Sequence, residues 1–294
     1  MQKVLTKKFV KEWLIERCIY LSGIASIIFV CLIFVFLAKE GFSLFKTVSV
    51  SDFLFGQKWY PISTSPLFGI LSLIVGSLYV TIGATIIAVP IGVASAVYIS
   101  EVAPEKIREV LKSGIEVLAA IPSVVLGFIG MMTLVPWVRS TFHLPTGLTA
   151  FSGALMLAFM AMPTIVSIAE DSLNAVPKRY KEAALALGAT RWQAIWRVII
   201  PAASSGIVAA IMLGIGRVIG ETMAVMMITG NAARIPDSLF QPVRTLTATV
   251  AAEMGETVRG SDHYFSLFAI GIVLFIFTFC INLIADLALH RKPK

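Results

Sequence analysis

Six separate stretches of this chain are apolar over about 20 residues or more: 18–38, 69–100, 115–138, 148–169, 201–229 and 265–289. A helix needs roughly 20 apolar residues to cross the hydrocarbon core of a bilayer. Inside lipid every backbone N–H and C=O must be satisfied within the protein, which leaves only helices and closed barrels. A barrel would show alternating segments of about ten residues, and the runs here are continuous. The fold class that follows is all-α integral membrane, with six transmembrane helices. Charged residues make up 14% of the chain, against about a quarter in soluble domains.

The net charge of +7 would suit a nucleic-acid partner, but its distribution argues for a membrane. Basic residues gather at Lys3, Lys7, Lys8, Lys11 and Arg17, at Lys106, Arg108 and Lys112, at Lys178, Arg179, Lys181, Arg191 and Arg197, and at Arg291, Lys292 and Lys294. With six spans these segments share one side. The other side holds only Lys39, Lys46, Lys58, Arg139, Arg234, Arg244 and Arg259. The positive-inside rule then makes both termini and the 178–200 segment cytoplasmic. The first span is too long for a signal-peptide core and reads as a retained helix.

Arg217 and Glu221 stand inside the fifth run, where each charge costs at least about 2.5–3.5 kcal/mol. They are four apart, so one helical turn puts both on the same face. Gly216 and Gly220 bracket Arg217 at a spacing that admits a close neighbour or ligand, and Thr222 follows. The group reads either as a path for a charged solute or as an ion pair knitting helices together. In the third run, Ile121-Pro122-Ser123 breaks the helical hydrogen bonding. Ser123 there either contacts the solute or satisfies the broken turn.

Residues 170–200 carry a second pattern. Helix formers follow Pro177 up to Gly188, which is placed for a left-handed cap. Thr190 and Gln193 have the spacing of a capping box, and Trp192 and Trp196 share a face. This elbow reads as an amphipathic surface loop or as a rigid peg for another protein. Elsewhere, the aromatics of 39–68 suit an interfacial belt, Pro90 predicts a kink, and 245–257 predicts a short helix with Glu253 and Glu256 solvated or against a partner. Cys18, Cys31 and Cys280 read as small buried hydrophobes. His143, His263 and His290 are isolated. The chain has no phosphate-binding G-x-x-x-x-G-K-[ST] loop and no catalytic or metal-ligand cluster, so the reading is a transport protein without a cofactor of its own. No inverted repeat supports a secondary carrier.

Glu182-Ala183-Ala184, then Gly188, then Ile199-Ile200-Pro201 resembles the EAA loop of ABC importer permeases. Gly216-Arg217-Val218-Ile219-Gly220-Glu221-Thr222-Met223-Ala224-Val225, Trp59-x-Pro61, Phe68-Gly69, Ile121-Pro122-Ser123-Val124-Val125 and Thr245-Leu246-Thr247-Ala248-Thr249 are similar to the phosphate permeases of the PstC subfamily. The resemblance implies a type I (MetI-like) permease fold. Residues 1–68 would be an N-terminal basic segment, first helix and extracytoplasmic loop, and 69–290 the permease core with its coupling loop at about 178–200. It implies an inner-membrane permease subunit that is not itself an enzyme. Arg217 and Glu221 would line the phosphate path, and Glu182, Ala183, Ala184 and Gly188 would couple to the ATPase. The implied partners are a PstA-type permease, two PstB-type ATPase subunits holding ATP and Mg, and a PstS-type binding protein. Sulfate, molybdate and phosphonate permeases are the alternative, ahead of an ATP-independent channel or carrier.

Overall fold

A computed structural model describes residues 2–290. Arg291, Lys292 and Lys294 of the basic pattern lie outside the described residues, as do the side chains of Lys3, Lys7, Lys8, Lys11 and His290.

Helix α1, Gln2–Gly41, is 40 residues long, so the basic segment and the first span form one rod of about 60 Å. Residues 42–70 contain a 3-10 turn Phe42–Lys46, helix α2 Val50–Phe55, and a small antiparallel hairpin, β1 Trp59–Tyr60 with β2 Leu67–Phe68. Helix α3, Leu71–Val97, runs unbroken past Pro90 and ends in a π turn, Tyr98–Val102.

Helix α4, Glu105–Ala120, is separate from α5, Ser123–Thr141. The expected third span 115–138 is therefore corrected. Pro122 has no N–H and disfavours the helical region for the residue before it, and Ile121 is extended at ψ 127°. Helix α6, Ala150–Asn174, follows, its first turn capped by Thr149, whose side chain accepts from Ser152 N.

The elbow consists of α7 Lys178–Ala186, α8 Arg191–Ala194, a π turn Ile195–Ile199 and α9 Ile200–Ala202. After it come α10 Ser204–Gly220, α11 Met223–Ile228, α12 Leu246–Glu253 and α13 Asp262–His290. Among the described residues five helices are long and apolar enough to span a membrane. The sixth is a bent pair, Arg191–Ala202 with Ser204–Gly220, which turns by 70°.

The centre of the bundle is α3, α6 and α10. Small residues let these backbones approach: Ala84, Ala88, Ala158, Ala161 and Ala210 are at most 1% exposed. Ile165 of α6 is wedged between Gly92 of α3 and Gly214 of α10, where a Cβ would come within 2.9 Å and 2.5 Å of it. Helix α1 lies on the outside, against α13, through Phe34 on Phe275 and Phe36 on Phe268, 4.8 Å and 5.4 Å between ring centres. Cys18, Cys31 and Cys280 are exposed rather than buried. These spans turn apolar side chains outward, as lipid permits.

The N-terminus, α4 and the elbow share one end of the bundle, called here the elbow end. The opposite end holds the 42–70 segment and α12. Its aromatics divide: Phe53 and Trp59 are 0% and 2% exposed and pack with Leu246, Leu267 and Ile270, whereas Phe42, Phe55 and Tyr60 face outward. Glu253, expected to be solvated, is gripped within the chain. Arg244 Nη1 lies 2.6 Å away, His263 Nε2 2.8 Å, and Trp59 Nε1 donates to both carboxylate oxygens at 3.1 Å. His263 is thus not an isolated loop residue.

Candidate functional site

Helix α10 has 17 residues and reaches about 26 Å, short of the roughly 30 Å hydrocarbon core. The expected single helix over 201–229 is interrupted at Glu221, whose backbone is extended at φ −70°, ψ 130°. Glycine at 220 weakens the helix locally, and two new partners take over beyond it. Glu221 Oε1 accepts from Ala224 N at 3.3 Å, capping the first turn of α11, and Glu221 O accepts from Thr247 Oγ1 at 3.0 Å. Thr222 Oγ1 donates to Gly220 O at 3.2 Å across the break.

This overturns the shared helical face expected of Arg217 and Glu221. No ion pair joins them among the described residues. Arg217 is half-buried, and among the described residues its one side-chain hydrogen bond runs from Nη1 to Thr164 Oγ1 at 3.3 Å. Thr164 is near the middle of α6, the fifteenth of its 25 residues, so the guanidinium is at mid-span. Packing of Gly214 on Ile165 fixes that register. The carboxylate is occupied at a helix start, where the backbone dipole favours an anion, and the cation is left without a counter-charge. An uncancelled guanidinium offers several N–H donors in a fixed fork, suited to an oxyanion.

The other expected path residues stand along α10, just beyond its end and at the start of α5. A Cβ on Gly216 or Gly220 would meet nothing within 4 Å, so this stripe of α10 is open. Leu213 beside it is 56% exposed. Ser123 opens α5 and is half-buried. It stands one turn before Gly127, whose Cβ would meet Ala224 Cα at 2.9 Å, while Gly130 faces Ile228. Helices α5 and α11 thus run alongside in the same direction, and Ser123 is level with the α10–α11 break.

The elbow takes the geometry its sequence dictates. Gly188 has φ +86°. Its N–H reaches Leu185 O at 3.0 Å and the N–H of Ala189 reaches Ala184 O at 3.1 Å, the paired bonds of a Schellman cap. Thr190 and Gln193 make both bonds of the capping box. Glu182 and Ala183 are exposed, and Ala184 is half-buried. Leu187, Trp192 and Trp196 are 90%, 59% and 63% exposed. Such an exposed apolar cluster on a rigid turn suits contact with a partner protein or with the membrane surface.

One cluster had no counterpart in the sequence reading. Glu170 near the elbow end of α6 is 3% exposed. It accepts from Arg108 Nη2 at 3.2 Å, Lys112 Nζ at 3.0 Å and Asn174 Nδ2 at 2.6 Å. Asn174 Oδ1 in turn accepts from Arg108 and Ser100, and Lys181 of the elbow pairs with Glu101. The hydrogen bond with Glu170 raises the pKa of Lys112 above its ordinary value, against the opposing pull of burial.

Known proteins resemble this chain over most of its length. The profile of the family described as binding-protein-dependent transport system inner membrane component matches residues 88–292. The probable ABC transporter permease protein YqgH of Bacillus subtilis is 40% identical over 261 residues, 88% of this chain and 84% of that one. The phosphate transport system permease protein PstC of Mesorhizobium japonicum is 38% identical over 259 residues, 82% of this chain and 78% of that one. A bacterial ABC transporter that imports the acidic polysaccharide alginate has the same fold, with a TM-score of 0.64 at 16% identity and 99% coverage of both chains.

Proposed function

The chain belongs to the family of binding-protein-dependent transport system inner membrane components, and on that premise we propose that it forms half of a phosphate path in an ATP-driven importer. It is the permease component, and ATP hydrolysis lies in a partner subunit. The observation that carries the phosphate reading is Arg217: a mid-span guanidinium bonded, among the described residues, only to a neutral hydroxyl. Relatives named as phosphate permeases at 32–38% identity support the same anion.

In this reading phosphate rests against the Arg217 fork, beside Gly216, Gly220, Thr222 and Ser123. Glu221 holds the helix break that lets α10 end within the lipid, and its charge keeps the anion from binding too tightly to leave. A PstA-type permease closes the open side of α10. Two PstB-type ATPases, holding ATP and Mg, receive the Glu182–Gly188 elbow, and a PstS-type protein delivers phosphate at the opposite end. Both termini are cytoplasmic in this orientation.

The test is ATP-dependent uptake of labelled phosphate by the whole complex in proteoliposomes, with sulfate as competitor. Arg217→Gln is expected to abolish uptake while the complex still co-purifies. Uptake at the native rate would overturn the assignment of Arg217, and stronger competition by sulfate than by unlabelled phosphate would overturn the choice of anion.

A further inference from the structure

We propose that Thr164 is a second phosphate-contacting residue, presenting its hydroxyl proton to the anion that Arg217 holds. The proposal rests on the reading of Arg217 given above. Thr164 Oγ1 accepts from Arg217 Nη1 at 3.3 Å, so the two groups already face one point at mid-span. A hydroxyl that accepts one bond still has its own proton to donate.

Where that proton goes distinguishes Thr164 from most threonines of the spans, although buried Thr81 of α3 likewise shows no side-chain hydrogen bond among the described residues. A helical threonine in an apolar environment ordinarily donates to the carbonyl four residues back. Thr85, Thr133, Thr229, Thr249 and Thr278 all do so, at 2.7–2.9 Å. Thr164 makes no such bond among the described residues. Its only hydrogen bond is the one from Arg217, although it is half-buried in the middle of a span. A donor left unused there is costly unless water or a solute takes it up.

The site is also rigid and accessible. Buried Pro163 precedes Thr164, and Ile165 after it is clamped between Gly92 and Gly214. The hydroxyl therefore has a fixed address, with the open stripe of Gly216 and Gly220 following on α10. A guanidinium fork beside a hydroxyl donor matches a tetrahedral oxyanion, since three or more donors converge without a second full charge that would retain the ion.

The experiment uses the complete importer in proteoliposomes and measures phosphate moved per ATP hydrolysed, with assembly followed by co-purification. Thr164→Val keeps the shape and removes the hydroxyl. It should lower the phosphate-to-ATP ratio about tenfold while binding-protein-stimulated ATPase persists, and Thr164→Ser should restore most of it. A native ratio in Thr164→Val would overturn the proposal. So would equal impairment of the Val and Ser variants, or failure of Thr164→Val to assemble, because the side chain would then serve packing alone. Arg217→Gln runs alongside. Native transport in that variant removes the premise, whereas its loss together with native Thr164→Val transport removes only the role of Thr164.

Discussion

Lys112 Nζ lies 3.0 Å from Glu170 Oε2, and through this pair a helix with no buried residue of its own is fastened to the centre of the bundle. Arg108, one turn earlier on α4, takes the other carboxylate oxygen. Asn174 and Ser100 extend the network to α3, and Lys181 with Glu101 extends it to the elbow. The elbow and α4 are therefore tied to the helix that carries Thr164.

Glu170→Gln should destabilise the protein by about 2 kcal/mol. Removing one partner of a fully buried pair costs about 3–5 kcal/mol, and the two cations here are 33% and 42% exposed, which reduces the loss. Thermal unfolding in detergent measures it. A double-mutant cycle with Lys112→Ala should show coupling of about 1 kcal/mol, and additivity would dissociate the pair.

Alkaline pH gives a directional check on the same contact. The pKa of Lys112 is raised by Glu170 from its ordinary 10.5. A raised lysine stabilises the fold fully below its unfolded value and loses that contribution as pH climbs through the folded one. The stability difference between native protein and Lys112→Ala should stay constant from neutrality to about pH 10 and shrink above it. A difference that fades already near pH 8 would contradict the pair.

Gly188→Ala meets no steric neighbour, so its cost is conformational. Forcing a side chain to φ +86° should cost about 1 kcal/mol at the elbow. The expected outcome is weaker co-purification of the ATPase at unchanged membrane insertion. Equal retention of the ATPase would remove the cap from the coupling surface.

Two glycines on α10 should respond in opposite ways. Gly214→Ala drives a methyl to within 2.5 Å of Ile165, and overpacking of this kind costs roughly 1–3 kcal/mol. Gly216→Ala points into open space and should raise the thermal stability of the isolated subunit by about 0.5–1 kcal/mol, the helix propensity that alanine gains over glycine. If Gly216→Ala nevertheless stops uptake by the assembled importer, the stripe lies against a partner or in the path.

The sequence disclosed the elbow in detail because caps are local: Gly188, Thr190 and Gln193 act within a few residues of themselves. It disclosed the spans because lipid demands length. It misjudged the fifth span because an apolar run fits one helix or two equally well; what ends α10 is Thr247, distant in sequence, and a carboxylate that prefers a helix start to an ion pair. Glu170 and Glu253 were illegible for a related reason. Lys112 and Trp59 reach them from 58 and 194 positions away, Arg244 and His263 reach Glu253 from 9 and 10 positions off, and no periodicity encodes such meetings. Thr164 did have a signal, a hydroxyl after a proline in an apolar run, which becomes informative only once Arg217 is seen to face it.

Because Gly216 and Gly220 look onto nothing among the described residues, the polypeptide in the proposed reading builds a single bank of a channel. The opposing bank must come from outside, so the width of the passage is set by how two proteins approach rather than by any motion inside one of them. With Ile165 locking α10 to α6, and Glu170 tying α6 to the segments beside the elbow, a shove on those exposed tryptophans would carry Arg217 along with the helices that bear it, opening or closing the gap like a gate hung on its post.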